Sequence, residues 1–247
     1  MKTLATLLLC TAAGMAAAAD LKVLSAGAVE PGLAKLAEQF TRDTHHKVRV
    51  QYATAPQLNR RLAGGELADV LIAPPGVMNE QLRRSRVDPE SHFVIGRVGV
   101  GVVVRLGNSE PDLSNLERFK QSLLGADSIV YNQASTGLYL EKLFELLGIG
   151  EQLKPRTTRF ATGEEVLEHT INGRSNEIGF GAITAIRLFE TRGGLKFVGP
   201  LPEQIQHRTA YIAGLMTEAP IEDVARDFLR FLGTPAAKAT FAAVGIE

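Results

Sequence analysis

The chain has 247 residues, 27 of them basic and 27 acidic, and a formal net charge of zero. A balanced chain without a long basic block lacks the electrostatic footprint of a nucleic-acid binder. Its length allows one large domain or two lobes of about a hundred residues each, and ordinary apolar content without low-complexity tracts excludes disorder as the main state.

Lys2, the apolar stretch Leu4–Ala13 and Ala17-Ala18-Ala19 have the order of a secretory leader over residues 1–19, cut near Ala19 before Asp20. The apolar run is too short to span a bilayer, and no later segment reaches the required length. The mature chain is therefore expected in the periplasm. The single cysteine, Cys10, lies inside the leader, so the mature chain lacks disulfides, a thiolate nucleophile and cysteine-based zinc sites.

After the leader, strands and helices alternate. Lys22–Ser25 reads as a strand, and Val29, Leu33, Leu36, Ala37 and Phe40 recur at helical spacing behind Pro31. Lys47–Tyr52 alternates like a strand, Pro56 opens a helix that Gly64-Gly65 stops, and Ala68–Ala73 is a short buried strand. Phe93–Arg105 is a long β-branched run with Gly96, Gly99 and Gly101, read as a strand that leaves one lobe and enters another. A second series follows. Ser114-x-x-Glu117 predicts a capping box before a helix over Asn115–Leu124, then come a strand at Ser128–Tyr131 and a helix over Leu138–Leu147. Thr162-x-x-Glu165 predicts another capping box, ahead of strands at Glu177–Gly181 and Leu195–Val198. Ala210–Met216 is read as the strand carrying the chain back, before helices at Ile221–Leu232 and after Thr234-Pro235. The pattern predicts an α/β fold of two Rossmann-like lobes, with mixed, mostly parallel sheets and a two-strand hinge. Lobe 1 is placed at residues 20–98 and 205–247, and lobe 2 at residues 99–204.

Three strand-to-helix junctions are built from small residues: Ser25–Val29, Ala53–Pro56 and Gln133–Gly137. Small side chains let a ligand reach backbone N–H groups at a helix start, where the macrodipole favours an anion. In an open α/β sheet such loops gather at the carboxyl ends of the strands. The candidate ligand-binding residues are therefore Ala26, Gly27, Ala28, Thr54, Ala55, Ala134, Ser135 and Thr136, with Gly181 and Ala182 after the late strand. Glu30, Glu164 and Glu165 already answer the dipoles of their own helices. The helices starting near Ala55 and Thr136 are thus expected to hold most of a ligand's charge, with Arg60 and Arg61 following the first of them.

Enzyme signatures are scarce. There is no Gly-x-Ser-x-Gly elbow, phosphate loop or His-Glu-x-x-His pattern. His45, His46, His92, His169 and His207 lack metal-ligand spacing, and the carboxylates Glu164, Glu165 and Glu177 are better explained by capping and solvation. No catalytic residue, metal or cofactor is assigned.

The order of these pieces resembles the ABC-transporter periplasmic substrate-binding proteins of the two-lobed type, in the molybdate-binding-like branch. The resemblance is carried by V-L-S-A-G-A-V-E-P-G-L-A-K-L-A-E-Q-F near the start, L-A-G-G-E-L-A-D-V-L-I-A at Leu62–Ala73 and S-T-G-L-Y-L-E-K-L-F-E-L-L-G-I at Ser135–Ile149. It continues through N-G-R-S-N-E-I-G-F at Asn172–Phe180 and A-R-D-F-L-R-F-L-G-T-P-A-A-K at Ala225–Lys238. It implies a flytrap-like monomer that closes on a small anion or organic acid and delivers it to an inner-membrane ABC permease. The chain departs from the branch where a serine hydroxyl gives way to Ala28, a serine-rich turn to Ala53-Thr54-Ala55-Pro56, and a tyrosine to the Gly181-Ala182-Ile183 region. A pocket with fewer hydroxyls suits an organic acid better than molybdate or tungstate. An oxyanion binder, an exported enzyme and a sensor domain on the same fold are the alternatives.

Overall fold

The computed structural model describes residues 18–173 and 176–247. The leader reading therefore lies outside the described residues, apart from Ala18 and Ala19, and so do Arg174 and Ser175 of the Asn172–Phe180 motif. No helix among the described residues is long and apolar enough to cross a membrane.

The first half of the chain runs β1 (Asp20–Ala26), α1 (Glu30–Thr44), β2 (Lys47–Ala53), α2 (Ala55–Ala63), β3 (Val70–Ala73), α3 (Pro75–Arg83) and β4 (Phe93–Arg105). It continues with α4 (Leu116–Gly125), β5 (Ser128–Asn132), α5 (Ser135–Leu146), α6 (Gly150–Leu153), β6 (Thr157–Phe160), α7 (Gly163–Asn172) and β7 (Glu177–Ala182). The last elements are α8 (Ile183–Glu190), β8 (Leu195–Pro200), β9 (Arg208–Leu215), α9 (Glu222–Leu232) and α10 (Pro235–Ala242).

The strands lie in the order β2-β1-β3-β9-β4-β7-β5-β6, with β8 also paired to β4. The sheet is mixed. β1 pairs in parallel with β2 and β3, and β5 with β6 and β7. Every antiparallel pairing involves β4 or β9. β4 is the strand that crosses. Phe93 to Gly99 pair with β9, whereas Val100 onward pairs with β7 and Gly101 onward with β8.

The core divides in the same way. Leu33, Leu36 and Phe40 of α1 pack with Val70, Leu71 and Ile72 of β3 and with Phe228 and Leu232 of α9. Phe119, Ile129, Leu140, Phe144 and Phe180 form a second cluster. Val103, Leu167, Ile186, Phe189 and Leu195 form a third, so each half has apolar packing of its own.

The return connection differs from the sequence expectation. Ala210–Met216 does not cross: β9 is already paired with β3 and with the first half of β4. The crossing is made just before it, where Gln206 Nε2 and Oε1 bond the carbonyl and N–H of Val100, each at 2.9 Å. This side chain replaces a ladder partner where β4 changes neighbours. The glycines of β4 permit close approach there. A Cβ on Gly101 would lie 2.9 Å from both Ile186 Cδ1 and Phe197 Cε2, so a larger residue would require those side chains of α8 and β8 to shift.

One capping expectation is corrected. Ser114 does not cap α4. Asn115 does, its side chain accepting from the Arg118 N–H at 2.9 Å, because an asparagine one residue later sits in the extended geometry that reaches the first turn. The Thr162 box forms as expected. Thr162 Oγ1 accepts from the Glu165 N–H at 3.1 Å, and Glu165 Oε2 accepts from the Thr162 N–H at 3.0 Å.

Candidate functional site

The carboxyl ends of β1, β2, β5 and β7 each run directly into a helix start, and these four junctions face one another across the cleft. They enclose a cavity of about 290 Å³. All ten residues named from the sequence line it. Residues up to 156 positions apart are thereby brought together, and the two halves touch beside the cavity, where Thr184 Oγ1 donates to the Ala28 carbonyl at 2.7 Å.

Asn132, Tyr211 and Tyr52, whose hydroxyl is fully buried, line the cavity with polar groups that have no hydrogen-bond partner among the described residues. Asn132 ends β5 and is only 6% exposed. Its Oδ1 accepts from the N–H groups of Ala134 at 2.9 Å and Gly137 at 3.3 Å. These bonds hold the loop in the shape that starts α5 and leave the Asn132 amide nitrogen without a partner among the described residues. Gly163, the first residue of α7, lies beside that nitrogen, since a Cβ on it would sit 3.6 Å away. Tyr211, on β9, is also 6% exposed, lines the cavity, and has no hydrogen-bond partner for its hydroxyl among the described residues. Burial raises its ionisation range, so this hydroxyl stays a neutral donor.

Helix ends reinforce the donors. The first backbone N–H groups of any α-helix lack intrahelical acceptors, and the first turns of α2, α5 and α8 contain no acid. Ser135 and Thr136 therefore offer main-chain donors and hydroxyls together. At α2, the Thr54 N–H is already used by Gln57 Oε1 at 2.8 Å, which leaves Ala55 to present the helix end.

The walls are apolar. Leu167, Ala185 and Phe189 come from one half, and Pro31, Pro74 and the ring of Tyr52 from the other. The mouth carries charge. Glu30 and Glu164 belong to different halves, and Arg192 lies beyond α8, with Nη1 4.0 Å from Glu164 Oε1 and its guanidinium 4.1 Å from the Phe189 ring centre. Burial, then the Glu164 charge, raises the Glu30 carboxyl above its usual range, partly offset by Arg192. Burial, then Glu30, raises the Tyr52 hydroxyl.

The expectation for Arg60 and Arg61 does not hold, since neither lines the cavity. Arg61 instead grips Glu66 with Nε at 2.6 Å and Nη2 at 2.8 Å, an ion pair that Lys22 joins at 2.9 Å. Both arginines lie in the last turn of α2, at the opposite end of the helix from the junction. Arg192 is the cavity cation among the described residues, and sequence reasoning missed it because it follows a helix C-terminus with no motif. Asn132 and Tyr211 were missed for a similar reason. Tyr211 sits inside a strand and Asn132 at the end of one, and neither is marked by a motif until the partner half is in place.

Comparisons agree with this architecture. The model of the bacterial extracellular solute-binding protein family matches residues 21–247. A curated relative from a Pseudomonas species, named aconitate isomerase, is 28% identical over 89% of this chain and 84% of its own length. The periplasmic molybdate-binding protein of Azotobacter vinelandii superposes with a TM-score of 0.75 at 20% identity, covering 92% of this chain and 98% of that one. The sulfate-binding protein SubI from Mycobacterium tuberculosis gives 0.73 at 18% identity, covering 92% and 86%. Fold, family match and coverage coincide, and the chain belongs to the bacterial extracellular solute-binding protein family.

Proposed function

We propose that this chain is a periplasmic, monomeric binding protein that captures a small organic acid in the cavity and delivers it to an inner-membrane ABC permease without transforming it. Residues 20–98 and 205–247 form one lobe and residues 99–204 the other, the leader being removed near Ala19. The observation that carries the reading is the convergence of the unpartnered Asn132 amide and Tyr211 hydroxyl with the acid-free starts of α2, α5 and α8. Neutral donors lining one cavity favour a carboxylate, and the apolar walls favour a carbon skeleton over a bare oxyanion. Ala28 adds to this preference, because it offers no hydroxyl and its carbonyl is taken by Thr184.

A thermal-shift panel of carboxylates, amino acids, sugars, molybdate and sulfate tests this reading. A ligand at 100 times its dissociation constant adds about 2.7 kcal/mol of stability. Organic acids should give that shift, and Thr136→Val should weaken it without changing the unliganded melting temperature. If molybdate alone shifts the protein, the reading of Ala28 is wrong.

A second reading is an exported enzyme. The relative named aconitate isomerase suggests it, and the Glu30 carboxyl, facing the cavity with no ion-pair partner among the described residues, is the group placed to move a proton. It ranks second because two carboxylates at the mouth oppose a polycarboxylate. Incubating the protein with trans-aconitate and following the proton NMR spectrum tests it, with conversion as the supporting result.

A further inference from the structure

The cavity is polar at both ends, but the ends differ in sign. At the inner end, Asn132 and Tyr211 present unpartnered donors from side chains that are nine-tenths buried, beside the N–H groups of Ser135 and Thr136. At the mouth, Glu30 and Glu164 stand on opposite halves. Arg192 is the single cation there among the described residues. It already lies 4.0 Å from Glu164 and over the face of Phe189, so the three side chains together carry a net negative charge. The carbonyl end of α8 lies two residues before Arg192 and adds to the negative side. Between the ends the wall is hydrocarbon, from Leu167 and Phe189.

We propose that the ligand is bipolar: a carboxylate at the inner donors, a short apolar body against Leu167 and Phe189, and an ammonium group at the mouth between Glu30 and Glu164. This rests on the reading that the inner end holds a carboxylate, and it adds the chemistry of the opposite end. A dicarboxylate would place its second charge beside two acids and an arginine that one of them already neighbours. An ω-amino acid would instead bring a cation to two acids on opposite halves and join the halves through itself. Ligand capture and closure of the mouth then become one event. The mouth is partly solvent-exposed, so the effect is one of discrimination rather than of large affinity.

The test uses the mature protein in isothermal titration calorimetry with three series of matched chain length, four to six carbons: ω-amino acids, α,ω-dicarboxylates and unsubstituted monocarboxylates. At the best length, the ω-amino acid should bind at least tenfold more tightly than the dicarboxylate. In the Glu30→Gln/Glu164→Gln double variant that ratio should fall towards one, while the unliganded melting temperature falls by no more than a few degrees, the cost of two acids lost from helix first turns. Tighter binding of the dicarboxylate, or a ratio the double variant does not move, overturns the inference and leaves carboxylate capture standing. If no acid of the three series binds, the carboxylate reading fails and this inference fails with it.

Discussion

Asn132 carries more of the site than any residue visible in a motif. Its oxygen shapes the loop before α5 and its nitrogen faces the ligand space. The two roles are separable. Asn132→Asp keeps an oxygen for Ala134 and Gly137 but turns the cavity donor into an anionic acceptor. The fold should survive, with a melting temperature within a few degrees, and calorimetric affinity for a carboxylate should drop at least tenfold, in keeping with the cost of an unpaired charge-assisted bond. Gly137 shows why this loop tolerates nothing larger. A Cβ there would lie 1.6 Å from the Asn132 carbonyl oxygen, so Gly137→Ala should destabilise the protein by about 1–3 kcal/mol or more in denaturant melts, as overpacking does. Gly27→Ala is the counterpart: nothing lies within 4 Å of the added methyl, so stability should hold. Glu66 supplies the pH test. Arg61, then Lys22, holds its carboxyl down to about 2, from 4.5. A lowered folded pKa gives stability that is present above the unfolded value and lost as pH falls through the folded one. Wild type should thus melt above Glu66→Gln at pH 6, with the gap narrowing between pH 4.5 and 2. At this scale the small-residue loops were legible, because glycine, alanine and serine at helix starts have a stated physical use. Asn132, Tyr211 and Arg192 were not, because their meaning depends on what the other half brings to them.

The elements were largely legible because their periodicity is strong. β4 occupies the span Phe93–Arg105 that its β-branched run indicates, and α9 buries Ala225, Phe228, Leu229 and Leu232 at helical spacing. Phe228 meets the Phe40 ring edge-on at 5.1 Å, which ties α9 to α1. Phe228→Ala should cost about 3–5 kcal/mol in chemical unfolding, the range for an aromatic removed from a core. The cap of α4 was misread by one residue because serine and asparagine are both good caps and only geometry chooses between them. β9 was read as the returning strand because a run of alternating residues does not say which neighbour it pairs with.

At the scale of the whole molecule, three apolar clusters share one sheet, and β4 belongs to both halves. The cavity lies where the halves meet, so its lining is complete only when both are present. This explains why the ten sequence candidates, drawn from four separate junctions, become one site in space. On the proposed reading, a ligand that touches both halves would favour a closed arrangement by its difference in affinity between states. On the proposed reading, these donors select an organic carboxylate. The most direct measurement is the thermal shift of the mature protein with a carboxylate panel beside molybdate and sulfate, repeated on Asn132→Asp. A carboxylate should raise the melting temperature, and the variant should abolish that shift. A shift from molybdate or sulfate alone, or a carboxylate shift that Asn132→Asp leaves intact, would contradict that reading.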